Sequence, residues 1–116
     1  IRDRVWGDGT HSRSFLYVDD FARGLIEVAA RYAKADPINI GANEETTIKD
    51  LSYLICEKVK IITGKNVEPV FDSSGITGQP RRKCDTGKLE KELQYKTNVS
   101  FEEGLQKTIE WYNNIL

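Results

Sequence analysis

Arg13 opens an alternating run, Arg13-Ser14-Phe15-Leu16-Tyr17-Val18, a few residues after the tight stretch Gly7-Asp8-Gly9. An arginine so placed can aim a planar fork of donors at an oxyanion, and bidentate pairing with phosphate suits that geometry. Trp6, just before the turn, offers a flat apolar face to a base or a sugar ring. The plainer alternative makes Trp6 a core anchor and Arg13 a solvated strand residue, and on these residues alone it is favoured. A second cationic cluster, Arg81-Arg82-Lys83, follows a glycine-containing loop from Ser73 to Pro80. It suits a phosphate group, although charge runs of this kind are usually solvated loops. Asp19-Asp20 could serve acid–base chemistry or a metal. The favoured reading is a helix cap whose charge complements the helix dipole. His11 sits in a turn with no histidine or cysteine beside it and reads as a surface residue.

The missing motifs narrow the chemistry further. No glycine fingerprint follows a first strand, since Gly7 and Gly9 have neither a third glycine at the right distance nor a helix start behind them. No tyrosine among Tyr17, Tyr32, Tyr53, Tyr95 and Tyr112 has a lysine four residues on. There is no nucleophile elbow, no metal-ligand set and no phosphate loop.

The elements that must position them follow from periodicity. Phe21, Leu25, Val28, Ala29 and Tyr32 recur at helical spacing, with Asp19 or Asp20 as the expected N-cap and Pro37 forbidding continuation. Ile48, Leu51, Leu54, Ile55, Val59 and Ile62 form a second stripe, opened by Thr47 and Asp50 and closed by Gly64. A short helix is expected from Thr86 to Leu93. The last helix opens with the capping box Ser100-Phe101-Glu102-Glu103. Strands are expected at Val5-Trp6, aligned with Arg13 to Val18 across the glycine turn, at Pro37 to Gly41, and at Val67 to Phe71. Pro69 limits that last one to an edge or a strand start. The expected order is β-α-β-α-β-loop-α-α.

Size and charge bound the class. A chain of 116 residues suggests one domain with a small core. Apolar residues at 39%, charged residues at 30% and a net charge of −1 resemble ordinary soluble proteins and favour neither nucleic acid nor a membrane surface as partner. No apolar stretch approaches membrane-spanning length, and no signal-peptide pattern opens the chain. Cys56 and Cys84 stand far apart and read as buried or idle thiols in a reducing cytoplasm. Because the chain opens at Ile1, close to a strand-like segment, a fragment or excised domain is expected.

With these residues collected, the chain resembles the C-terminal portion of the extended short-chain dehydrogenase/reductases that act on nucleotide sugars, the NAD-dependent epimerase/dehydratase family. The likeness is carried by Val5-Trp6-Gly7-Asp8-Gly9 with Arg13 to Asp20, by Asn39-Ile40-Gly41, and by Phe71-Asp72-Ser73 with Gly78, Pro80-Arg81 and Asp85. Leu89, Phe101-Glu102-Glu103-Gly104-Leu105 and Glu110-Trp111-Tyr112 complete it. It covers essentially all 116 residues and is greatest to the GDP-fucose synthase branch, epimerase/reductases of a GDP-4-keto-6-deoxy sugar. Departures exist. Ser14 stands where that branch usually carries Glu or Gln, Gly75, Ile76 and Thr77 replace a usual Lys-Pro-Asp, and Arg82 replaces a common lysine.

The resemblance implies an α/β fold, part of a Rossmann-like subunit: a small mixed α/β substrate domain over residues 1–116 with about four helices and short strands. It implies that Trp6, Arg13, Thr77, Arg81 and Arg82 bind the nucleotide sugar, the arginines neutralising the diphosphate. NAD or NADP, with the family's catalytic tyrosine and lysine, would belong to an N-terminal Rossmann half outside this chain. No cofactor or metal is expected here, and the chain alone is expected to be inactive. The implied partners are a nucleotide-diphospho-sugar, the Rossmann half and a second subunit in a homodimer. Cut away from that half, the stretch from Phe15 to Val18 should show an unpaired edge or a bare apolar face. A free-standing, non-catalytic binding or assembly domain is the alternative from another class.

Overall fold

A computed structural model describes residues 2–116. The elements run β1 (Arg2–Trp6), β2 (Ser12–Ser14), α1 (Val18–Arg31), β3 (Glu45–Thr47), α2 (Ile48–Thr63), β4 (Glu68–Asp72), β5 (Arg81–Arg82), α3 (Gly87–Leu93) and α4 (Phe101–Ile115). The mixed α/β class and the helices agree with expectation. The strands are more numerous than expected, differently bounded and differently paired. Overall extents of 49 × 32 × 19 Å make a slab, so little of the chain is far from a surface.

The helix ends behave as their residues dictate. Thr47 Oγ1 accepts from the Asp50 N–H at 3.1 Å, and Gly64 closes α2 in the left-handed region at φ 73. Ser100 Oγ accepts from the Glu103 N–H at 3.2 Å and opens α4. The start of α1 is a correction. Neither Asp19 nor Asp20 is the cap, because Tyr17 is extended and its carbonyl accepts from the Phe21 N–H, so the helix begins earlier. Both aspartates lie in the first turn.

The small core gathers Tyr32, Leu89, Leu93 and Tyr95, with Val28, Ile38 and Ile40 packed against it. The expected strand from Pro37 to Gly41 forms no ladder among the described residues. Ile38 and Ile40 are held by burial of their side chains instead. Gly24 lets Ile40 close on α1: a Cβ there would lie 2.6 Å from Ile40 Cγ2.

Two small sheets carry the strands. β1 pairs in parallel with β4, Arg2 opposite Glu68 and Trp6 opposite Asp72. It does not align with β2 across the glycine turn, because Gly7 and Gly9, at φ 91 and 85, turn the chain out of that plane. Asp8 Oδ1 pins the turn by accepting from the Thr10 N–H at 2.9 Å. The other sheet has the order β3-β2-β5. β2 lies antiparallel to β3 and parallel to β5. The run from Arg13 to Val18 is therefore a strand only to Ser14, and Val18 already belongs to α1. The loop from Ser73 to Pro80 leads into β5, which the sequence pattern does not reveal.

Candidate functional site: a guanidinium pair on the β3-β2-β5 sheet

Strand alternation sorts the polar residues of this sheet onto its two faces. Ser12 is the register partner of both Thr47 and Arg81, whereas Arg13 is the partner of Thr46 and Arg82. Arg13 and Arg82 consequently share one face and Ser12 and Arg81 the other.

On the Ser12 face the charges are matched. Glu45 Oε1 accepts from Arg81 Nε at 2.7 Å and Oε2 from Arg81 Nη2 at 2.9 Å. Ser12 Oγ donates to Glu45 Oε1 at 2.6 Å. The bonds from Arg81, then Ser12, push the Glu45 carboxyl down to about 2, and the same pairing raises Arg81. Arg81 thus has its fork filled by a carboxylate.

On the Arg13 face no carboxylate among the described residues pairs with either cation. Arg13 Nη1 donates to the carbonyls of Ser12 at 2.7 Å and Gln79 at 2.8 Å, which holds the loop against the strand. Gly78 keeps this approach open, since a Cβ there would lie 3.3 Å from Arg13 Nη2. Arg82 is exposed. Two guanidinium groups at paired positions repel unless an anion lies between them.

Trp6 and Thr77 stand nearby. Trp6 is 60% exposed, so it is not a core anchor. Gly75 lies against it, a Cβ there meeting Trp6 Cβ and Cγ at 3.0 Å. Thr77 packs on the glycine turn, its Cγ2 lying 2.8 Å from where a Cβ on Gly7 would be, with the His11 ring at 3.1 Å from the same point. The loop from 73 to 80 therefore covers the turn after β1 and the start of β2. Trp6, Arg13 and Thr77 meet at this loop, and Arg82 follows it as the register partner of Arg13. Arg81 is on the same strand and turned to the opposite face.

Glu45 and Ser12 are the residues that sequence reasoning missed. The available signal was charge complementarity between Glu45 and the Arg81-Arg82-Lys83 run, but no pattern foretold that β3 and β5 flank one strand. The Asp19-Asp20 pair forms no acid–base or metal site, because Asp20 is buried and its oxygens are taken by backbone N–H groups. Among the described residues no group of three or more potential ligands could hold a metal. Cys56 and Cys84 are free thiols, both raised by burial.

A separate, largely apolar cavity of about 1180 Å³ opens beside α4, lined also by the start of α1 and by residues of α2 and α3, with Phe15, Val18, Phe101 and Trp111 among its walls. None of the residues around the guanidinium pair lines it. Phe15 and Phe101 stack at 5.5 Å within it, and Val18 remains 64% exposed. The bare apolar face expected near Phe15 to Val18 is thus present. No helix among the described residues is long and apolar enough to cross a membrane.

Residues 3–41 match the NAD dependent epimerase/dehydratase family. Over 108 residues the chain is 39% identical to "Probable GDP-L-fucose synthase 1" of Oryza sativa subsp. japonica, a match covering 93% of this chain and 31% of that protein. It is similar in structure to a UDP-glucuronic acid 4-epimerase from Bacillus cereus in complex with UDP-glucuronic acid and NAD. That match has TM-score 0.77 and 30% identity, with 97% of this chain and 35% of that one covered. A UDP-glucose 4-epimerase from Thermotoga maritima with UDP-glucose gives TM-score 0.78 at 32% identity, covering 98% and 35%. The chain spans 31% of the length of the rice relative. By the match over 3–41, and by likeness in sequence and fold along almost its whole length, the chain is similar to about a third of the length of proteins of the NAD dependent epimerase/dehydratase kind.

Proposed function

We propose that this chain is the substrate-binding, C-terminal portion of an NAD(P)-dependent nucleotide-sugar epimerase/reductase resembling the GDP-fucose synthases. The register pairing of Arg13 with Arg82, on a sheet face where no carboxylate among the described residues meets either one, carries this reading. A nucleotide diphosphate supplies charge at the spacing that two paired arginines can share, and leaves water only when that charge is met. Trp6 would lie against the base or the sugar, and Thr77, in the covering loop, would reach the same ligand. Arg81, on the opposite face with its fork filled by Glu45, would stand behind the pair without touching the ligand. These residues bind and orient. Hydride transfer by NAD or NADP and the accompanying proton transfer would fall to a Rossmann half of the same cytoplasmic protein.

The apolar stripe Val18, Phe21 and Leu25 on α1 is exposed, which supports a covering partner such as that half or a second subunit in a homodimer. Calorimetric titration of the chain with GDP, UDP, NAD and NADP tests the assignment. A nucleoside diphosphate should bind and neither dinucleotide should. Arg13→Lys should weaken the diphosphate although charge is kept, since lysine lacks the planar fork. Equal binding by Arg13→Lys and the parent would defeat the diphosphate site.

A further inference from the structure

We infer that Glu45 is a positioning residue for the anion site: it clamps β5 through Arg81 so that Arg82 is held beside Arg13, and Arg81 is its strut rather than a contact of the ligand. The inference rests on the diphosphate reading above and extends it to a residue with no place in the motif that suggested it.

A carboxylate this close to a cationic site needs a reason, since its field repels the anion that the site is meant to hold. The faces supply one. Glu45 is turned to the side opposite the guanidinium pair, and its oxygens are occupied by three donors, Arg81 Nε, Arg81 Nη2 and Ser12 Oγ. Those donors come from two different strands, so one side chain on β3 spans β2 and reaches β5. The reach across is diagonal, Glu45 being the register partner of Ser14 while it binds Ser12.

β5 needs such a clamp. It is two residues long, Arg81 and Arg82. A strand that short offers little ladder of its own; just before it, the Ser12 N–H donates to the Pro80 carbonyl at 3.0 Å. Two parallel bonds from a planar guanidinium to a carboxylate fix direction as well as distance. Fixing Arg81 in one plane fixes the backbone from which Arg82, the next residue, projects to the other face. Exposed ion pairs add little to stability, so the consequence of this one is geometric. Glu45 stays ionised at any physiological pH, because Arg81 and Ser12 hold its carboxyl near 2.

The test turns on a sign. GDP and UDP are titrated calorimetrically into the chain and into Glu45→Gln, Arg81→Met, and the exchange Glu45→Arg with Arg81→Glu. Removing a negative charge should tighten anion binding if Glu45 is only a nearby charge. A positioning role requires the reverse: Glu45→Gln and Arg81→Met should each bind about tenfold more weakly. The exchanged pair, which rebuilds the clamp with its polarity inverted, should recover to within about threefold of the parent. Exchange of the Ser12 amide with deuterium should quicken in Glu45→Gln and slow again in the exchanged pair.

Tighter or unchanged binding by Glu45→Gln overturns the inference. So does failure of the exchanged pair to recover while its Ser12 amide is protected, because Arg81 would then be a ligand contact. Should Glu45→Gln prove unfolded, Arg81→Met and the exchanged pair decide alone. Loss of the diphosphate reading looks different: the parent binds neither nucleotide, or Arg13→Lys leaves binding untouched, and the positioning role falls with it.

Discussion

Asp20, in the first turn of α1, accepts hydrogen bonds from the backbone N–H of Asn98 through both carboxylate oxygens, at 3.0 and 3.1 Å and 78 residues away along the chain. The Val99 N–H donates to the same carboxylate at 3.0 Å, and Arg23 Nη2 at 3.1 Å. Arg23 also donates to the Lys96 carbonyl, and Tyr95 Oη to the Asp20 carbonyl. The residues leading into α4 are thereby tied to the helix that follows the guanidinium site.

Asp20→Asn should therefore be costly. Burial pushes the Asp20 carboxyl up, but the N–H groups of Asn98 and Val99, with Arg23, outweigh it and leave it below the usual aspartate range. An amide can accept through one oxygen only and would turn its own N–H₂ toward donors. A loss of about 2–4 kcal/mol is expected, read from urea unfolding at neutral pH. A folded value below the unfolded one means that the contribution is complete above the ordinary aspartate pKa. It fades as pH falls through the lower folded value. Acid titration of stability should accordingly be shallower in Asp20→Asn than in the parent across that window. A variant within about 0.5 kcal/mol of the parent would remove the tie's importance.

Two glycines at positive φ separate strain from crowding. Gly9 at φ 85 would place a Cβ 2.8 Å from Phe71 Cε1 and 2.9 Å from Lys49 Cβ. Gly64 at φ 73 has nothing within 4 Å. Gly64→Ala should cost about 1 kcal/mol, the conformational part alone. Gly9→Ala should cost about 2–4 kcal/mol, because α2 and β4 must also give way. Thermal melts of the two variants compare them directly; equal costs would mean that the turn relaxes freely.

The helices were legible because their information is local. Thr47 with Asp50, Gly64, and Ser100 with Glu103 are caps within a turn of their helices, and each sits where its spacing implies. Asp20 was legible as polar and early in α1, but its partners Asn98 and Val99 lie far along the chain, so a cap was the wrong inference. The strands at Val5-Trp6 and Val67 to Phe71 are present, but their pairing and the strand expected from Pro37 to Gly41 failed for the same reason. Ile38 and Ile40 alternate as a strand would, yet pairing needs a neighbour that local pattern cannot supply. β3 and β5 are too short to carry a period of two. For the candidate site, Trp6, Arg13, Thr77, Arg81 and Arg82 were named in advance by residue type and family likeness, and the loop from 73 to 80 lies against Trp6, Arg13 and the glycine turn. That Arg81 faces away depended on register, and register is set by contacts between segments distant in sequence.

Lys58 gives a contrasting forecast. It is only 8% exposed, with Nζ 2.8 Å from Glu102 Oε1 and 3.4 Å from Gln106 Oε1. Glu102 itself is 63% exposed and can return to water when its partner is lost. Lys58→Met keeps the aliphatic stem between α2 and α4 and deletes only the buried charge. Stability within about 1 kcal/mol of the parent is expected by denaturant unfolding. Lys58→Asp, which buries a carboxylate near Glu102, should be worse by several times that amount. A large loss in Lys58→Met would show that the ion pair, not the stem, joins the helices.

Arg82 should show a conflict between stability and binding. As the register partner of Arg13 it places like charges side by side on one sheet face. Without a ligand, Arg82→Ala relieves that repulsion and should stabilise the chain by about 0.2–1 kcal/mol. With a nucleoside diphosphate the sign reverses, because the same variant deletes one of the two groups that answer its charge. Affinity for GDP or UDP should fall by about tenfold, and the deficit should narrow as salt is raised, since Arg82 is exposed and its field is screened. Melting temperature and calorimetric affinity, measured on the same samples at low and high salt, read the two effects separately. An anion site predicts higher melting and weaker binding together. Higher melting with unchanged binding would leave Arg82 as a mere surface charge. Lower melting would mean that the two arginines do not repel, and that Arg82 is needed to hold β5 on the sheet.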